Sequence, residues 1–317
     1  MSSLRTRIAE FIGLPAVPDP PISQVVDRYT DAGYTRTLLR YPAPDGEQIE
    51  AFCFEPSTGA SKGGVLVLHQ HNSQWALGKS ELAGLVGDPY QAFGPALARR
   101  GLTVLAPDAI GFESRLGASH SDTSVAPVLT KPGSSPNGWL QYYNQMAHRL
   151  VHGDLLIRKM VRGCQAAISV LERISSESAP IGVIGHSMGG GVALFVGALD
   201  ARIGFMCSSG AVSSYRYKCA RGIGLEMAMI IPGFAAHFET VDLIRCIAPR
   251  PVLVVSADED PASGDAADVV RDAREAFEAA DAGGHLVHFH VSGGHGLDHQ
   301  RFGAIVEWAA EQIETAG

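Results

Sequence analysis

The chain has 317 residues, 46% of them hydrophobic and 18% charged, a globular composition long enough to bury a large core without disulfides. Its 25 basic and 33 acidic side chains give a net charge of −8 with no basic run, which excludes nucleic acid as a partner because phosphate binding needs clustered Lys and Arg. The N-terminus carries Arg5, Arg7 and Glu10 without an apolar stretch, no apolar run reaches the ~18 residues of a membrane span, and the five cysteines are odd in number without a CxxC pair. The expectation is a cytoplasmic protein with buried free thiols, no secretory leader and no membrane association.

In chain order, residues 1–35 read as a mostly helical N-terminal extension, broken by Pro15, Pro18, Pro20 and Pro21, ahead of one domain over 36–317. Residues 36–55 read as a hairpin turning at Pro44-Asp45-Gly46. Short apolar runs then alternate with longer helical patterns: Val65–Leu68, Thr103–Ala106, Ile181–Ile184, Gly204–Cys207, Val252–Val255 and Leu286–Val291. Between and after them, residues such as Ile157, Val161, Cys164, Ile168 and Leu171, or Phe302, Ile305, Val306, Ala309 and Ile313, repeat with helical spacing. Such alternation predicts an α/β architecture, a mostly parallel central sheet with helices on both faces and the chemistry at the carboxyl ends of the strands. Residues 114–149 and 212–249 interrupt it. Both leave strand ends, so they are read as pocket walls or a small cap.

The sharpest motif is Gly185-His186-Ser187-Met188-Gly189, between the strand Ile181–Ile184 and the helical run Val192–Leu199. This is the context of a nucleophile elbow: a strained strand-to-helix turn that lifts the serine oxygen clear of the sheet and places it at a helix N-terminus. Serine needs a base. His295, in Gly293-Gly294-His295-Gly296 past the last strand, is the candidate. The orienting carboxylate should lie in Ser256-Ala257-Asp258-Glu259-Asp260; Asp260 is favoured because it sits deepest in the loop, with Asp258 as runner-up. The expected oxyanion donors are the backbone N–H groups of Met188 and of His71, in His69-Gln70-His71-Asn72. Gln70, Trp139 and Tyr142 are candidate substrate contacts, with Trp75 and Tyr143 nearby. Lys79 and Glu81 can pair with each other or stand in solvent. His288 and His290 share a strand face, but no recognisable metal spacing surrounds them, so no metal or cofactor is expected.

The order serine, acid, histidine is that of the α/β-hydrolases. The chain resembles the dienelactone-hydrolase-like and acetyl-xylan-esterase-like branch of that superfamily over about residues 36–315. The matching stretches are His69–Asn72 with Gly78-Lys79-Ser80-Glu81, Ala106–Glu113, Gly185–Gly190, Ile247-Ala248-Pro249-Arg250-Pro251, the loop at Asp260 and Gly294-His295-Gly296. The resemblance implies a triad of Ser187, His295 and Asp260, no metal, and hydrolysis of a small-molecule carboxylic ester through an acyl-enzyme. Two departures are visible: dienelactone hydrolases proper use a cysteine where this chain has Ser187, and many relatives carry glycine where it has Gln70. An acyltransferase, or a peptidase or amidase, could use the same triad. A non-catalytic binding protein on the same fold is a third reading, and oligomeric state stays open.

Overall fold

The computed structural model describes residues 2–57, 59, 61–116, 136–175 and 180–316. Nine strands form one sheet: β1 (Gln24–Asp31), β2 (Tyr34–Pro42), β3 (Gln48–Pro56), β4 (Gly64–Leu68), β5 (Thr103–Pro107), β6 (Ile181–His186), β7 (Ile203–Ser209), β8 (Val252–Ala257) and β9 (Leu286–Val291). Their spatial order is β1-β2-β3-β5-β4-β6-β7-β8-β9. The first three strands are antiparallel, and β3 also meets β5 antiparallel; the remaining six run parallel. Each of the six apolar runs in the sequence forms one of these parallel strands.

The parallel strands β4 to β8 are buried on both faces, β9 at the edge is partly exposed, and alternate residues serve opposite sides. Leu66 and Leu68 face one core with Val183, Met206 and Val254; Val65 and Val67 face the other with Ile184, Cys207 and Val255. The first core is covered by α1 (Leu4–Phe11), α4 (Pro136–Val151), α5 (Leu156–Ile174), α6 (Met188–Leu199), α8 (Thr240–Ile247) and α9 (Ala266–Glu278). The second is covered by α2 (Lys79–Leu82), α3 (Phe93–Ala98) and α10 (His299–Ala316). A short α7 (Tyr215–Arg221) lies over the carboxyl end of β7. This layered arrangement is the expected α/β architecture.

The N-terminal region differs from its reading. Only Leu4–Phe11 is helical, and that helix buries Ile8 and Ile12 in the main core while Arg5 Nη2 donates to the Cys246 carbonyl at 2.8 Å. Gln24–Asp31 is an edge strand paired with β2. Its Val25, Val26, Tyr29 and Thr30 favour extended backbone, but all eight residues are exposed, so no in–out alternation marks the strand in the sequence. The two excursions are also more regular than expected. Residues 136–149 belong to α4, and residues 240–247 form the core helix α8, which leaves 212–239 to wall the carboxyl edge; residues 117–135 lie outside the described part.

Candidate active site

Ser187 stands between β6 and α6 with φ 56° and ψ −121°, a conformation an L-residue holds only under constraint. The constraint is visible. The Ser187 N–H donates to the Ser209 carbonyl on β7 at 2.8 Å, and its own carbonyl accepts the first α6 bond, from Gly191 at 3.0 Å. A Cβ on Gly185 would overlap the Gly189 carbonyl, and one on Gly189 would overlap the Leu68 carbonyl, so neither position admits a side chain. The turn is thus dictated by backbone crowding, and it projects the hydroxyl from the carboxyl edge of the sheet.

Two loops meet that hydroxyl. His295 Nε2 lies 2.8 Å from Ser187 Oγ, and His295 Nδ1 lies 2.9 Å from Asp260 Oδ1. In the neutral imidazole, Nδ1–H donates to the carboxylate and Nε2 accepts from the serine. Asp260 is buried. Burial alone would raise its pKa, but donors from His295, from Ser263 Oγ at 2.7 Å and from the Ala262 N–H at 3.0 Å hold it below the ordinary carboxylate value. Asp258 is placed elsewhere: exposed, it accepts from the Gly293 N–H at 2.9 Å and from Ser292 Oγ at 3.1 Å, joining the β8 loop to the β9 loop.

The histidine loop has a brace with no counterpart in the sequence motifs. The buried Arg301 on α10 donates Nη1 to the Gly294 carbonyl at 2.9 Å, donates Nη2 to that of Gly296, and binds Asp298 through Nε at 2.9 Å. These bonds fix the carbonyls on either side of His295. Nothing in local spacing identifies such an arginine, because its partners are backbone atoms of a loop that is glycine-rich and otherwise soft. Beside the His295 ring lies His186, fully buried, with Nδ1 3.0 Å from Ser209 Oγ and its ring 5.1 Å from that of His295. Burial, and then the neighbouring His295, push its pKa down to about 3, so it stays neutral.

Met188 is the first residue of α6, where an N–H has no carbonyl one turn earlier to receive it. His71 follows β4, its ring packed edge-on to Trp75 and Phe112 and against Tyr142. His69 is a buried clamp: Nδ1 lies 2.8 Å from the Gln70 carbonyl, and Nε2 accepts from the Ala109 N–H at 3.0 Å. Of the three residues read as substrate contacts, Gln70 is buried with Nε2 donating to Glu81 at 3.0 Å. Tyr142 is fully buried, its hydroxyl 2.6 Å from Glu226 and 3.4 Å from Met188 Sδ, which makes it a support beneath the elbow rather than a surface a substrate could touch. Trp139, packed against the main core, stacks on the partly exposed Tyr143 with centroids 5.2 Å apart.

Lys79 pairs not with Glu81 but with three other carboxylates. Its buried Nζ meets Asp108 at 2.8 Å, Glu113 at 2.7 Å and Glu50 at 3.5 Å, while Ser80 and Ser114 donate to Glu113 and Asp108. The stretches Gly78–Glu81 and Ala106–Glu113 therefore converge into one ionic knot. His288 and His290 share the hydroxyl of Ser256, at 2.7 and 2.8 Å. Among the described residues no three His, Cys, Asp or Glu side chains cluster as a metal site, and no helix is long and apolar enough to cross a membrane.

No protein-family model matches the chain. The Bacillus subtilis (strain 168) protein named "Putative hydrolase YtaP" is 28% identical over 229 residues, which is 69% of this chain and 68% of that one. Two of the solved structures with a similar fold are a glucuronoyl esterase from Solibacter usitatus and an acetyl xylan esterase from Paenibacillus sp. R4. The first has a TM-score of 0.67 at 16% identity, covering 98% of this chain and 92% of that one. The second has a TM-score of 0.58 at 18% identity, covering 98% and 90%. With the nine-stranded sheet, these likenesses establish the α/β-hydrolase fold.

Proposed function

We propose that the chain is a serine hydrolase of carboxylic esters, with Ser187 as nucleophile, His295 as base and Asp260 as orienter. The observation that carries this reading is the unbroken line from Ser187 Oγ through His295 to the buried Asp260, at 2.8 and 2.9 Å, at the carboxyl ends of β6, β9 and β8. Similarity to a named hydrolase and to esterase structures agrees with it.

In the first half-reaction His295 Nε2 takes the Ser187 proton as the oxygen attacks the ester carbonyl, and Asp260 stabilises the imidazolium. The N–H groups of Met188 and His71 receive the oxyanion, each worth ~10²–10³ in turnover at sites of this kind. His295 then protonates the leaving alcohol, and an acyl-Ser187 ester remains. Water, deprotonated by the same imidazole, releases the acid. The His295 side chain is 41% exposed, which gives water direct access to the base and favours hydrolysis over transfer to another acceptor.

Ser187→Ala should abolish hydrolysis of a short-chain aryl ester while leaving circular dichroism and the melting transition in place, and a fluorophosphonate should label the wild-type serine. Full activity in that variant would refute the assignment. Product analysis with added alcohol or amine separates hydrolysis from transfer: ester or amide formed in preference to free acid would replace the hydrolase with an acyltransferase.

A further inference from the structure

The wall formed by residues 212–239 encloses a small cavity of about 30 Å³ against α6. Gly191, Leu194, Phe195, Tyr215, Leu225 and Met229 are among its lining residues. Gly191, Leu194 and Phe195 belong to α6, the helix that begins directly after Ser187. The loop entering α7 also borders the loop of Asp260, because the hydroxyls of Ser213 and Ser214 donate to Asp265, five residues further on.

Its polar lining is unequally occupied. Ser213 Oγ donates to Asp265 at 2.6 Å, Thr240 Oγ1 to the Ser213 carbonyl at 2.7 Å, and Tyr215 Oη to the Met229 carbonyl at 2.9 Å. Lys218, on α7, differs. Half-buried in the same lining, its Nζ makes no hydrogen bond and no ion pair among the described residues. The carboxylates whose field reaches it are Asp260, Asp265 and Glu226. Each is committed elsewhere: Asp260 to His295 and Ser263, Asp265 to Ser213 and Ser214, Glu226 to Tyr142. Burial pulls the lysine pKa down against those three acids, the mark of an ammonium short of solvation.

An ammonium on an apolar wall has three donors and no acceptor, and its most favourable guest is an anion. We infer that Lys218 reads a carboxylate on the substrate, so that the enzyme acts on esters carrying a second, free carboxylate a few bonds from the one cleaved. This rests on the ester-hydrolase reading above and narrows it to a substrate class. The carboxylate could sit on the acyl or on the alcohol portion; the chemistry of recognition is the same.

The test uses two matched pairs of esters, each pair differing only by carboxylate against neutral amide. Monomethyl glutarate against methyl 4-carbamoylbutanoate places the charge on the acyl side; acetoxyacetate against its primary amide places it on the alcohol side. The readout is the ratio of kcat/KM for the acid over the amide within one pair, which is insensitive to how much of a variant is folded. We expect a ratio above one in at least one pair, a fall of about tenfold or more in Lys218→Met, and retention in Lys218→Arg. Turnover of the amides with a ratio unchanged by Lys218→Met in both pairs would overturn the inference and leave the esterase reading standing. Failure to turn over any of the four by protein that hydrolyses the aryl ester through Ser187 would overturn this inference alone, and failure on the aryl ester as well would overturn the esterase reading with it.

Discussion

The distinction between Asp258 and Asp260 rests on two residues of loop, yet their environments differ completely. Asp260 turns inward and holds the imidazole, whereas Asp258 faces solvent and staples two loops. Asp260→Asn should therefore cost ~10⁴ in kcat by favouring the wrong imidazole tautomer. Asp258→Asn should change steady-state rates by no more than a few-fold, and a loss matching that of Asp260→Asn would reverse the assignment. His186 sets a second expectation at this scale. Its pKa lies at 6.5 when unperturbed and about 3 in the folded chain, so between those values the unfolded state binds the extra proton. This group makes stability fall as pH drops from about 6.5 towards 3, by ~1.4 kcal/mol per pH unit once well below its unfolded value. Asp260 acts lower: its contribution is present above the unfolded carboxylate value of 3.8 and is lost as pH falls through its depressed folded value. Denaturant melts of His186→Gln between pH 4 and 6 should show a flatter pH dependence than wild type, and parallel curves would show that His186 is not the titrating group.

At the scale of elements, the site depends on where loops are tied. The loop of His69–Asn72 leaves β4 with Gln70 bonded to Glu81 on α2, and the same short helix carries Lys79 into the cluster of Asp108, Glu113 and Glu50. Lys79→Met would leave the Asp108 carboxylate, held where water barely reaches, without its cation. Removing one partner of a buried pair costs ~3–5 kcal/mol, and an equilibrium urea melt of Lys79→Met should show a loss of that order. A loss below ~1 kcal/mol would show that the knot is solvated in solution. Arg301 plays the corresponding part for the histidine loop. Since its bonds run to backbone carbonyls, no single Lys or Gln side chain reproduces its fork.

Among the described residues even the N-terminal helix belongs to the core, through Ile8. The cysteines report on that packing. Cys53, Cys164, Cys207 and Cys246 are buried, and Cys219 is exposed on α7. Burial raises the thiol pKa of Cys164 to about 12 and of Cys246 to about 11, and pushes those of Cys53 and Cys207 higher still. A thiol reagent such as Ellman's reagent should therefore react rapidly with one group per native chain and with five in denaturant. Two or more fast thiols in the native state would mean that β3, α5, β7 or α8 opens readily.

Ser187, its glycines and the six parallel strands were legible in the sequence because each is a local necessity. Crowding around the elbow admits nothing larger than glycine at 185 and 189, strands buried on both faces, as β4 to β8 are, must be largely apolar, and the half-exposed β9 kept a short apolar run of Leu286, Val287, Phe289 and Val291. His295 was legible through its position past the last strand. The edge strand Gln24–Asp31 was not, because its side chains face water on both sides and leave no periodic signal. Nor were the supports: Tyr142 on Glu226, Lys79 on Asp108, Arg301 on the carbonyls of Gly294 and Gly296. Their partners lie far off in the chain or are backbone atoms, and spacing carries no trace of either. The sequence by itself determined the layered sheet and the residue at its sharpest turn. Only the tertiary structure decided which carboxylate meets His295 and that Lys218, among the described residues, makes no hydrogen bond or ion pair, since both depend on directions that loops take after leaving the strands.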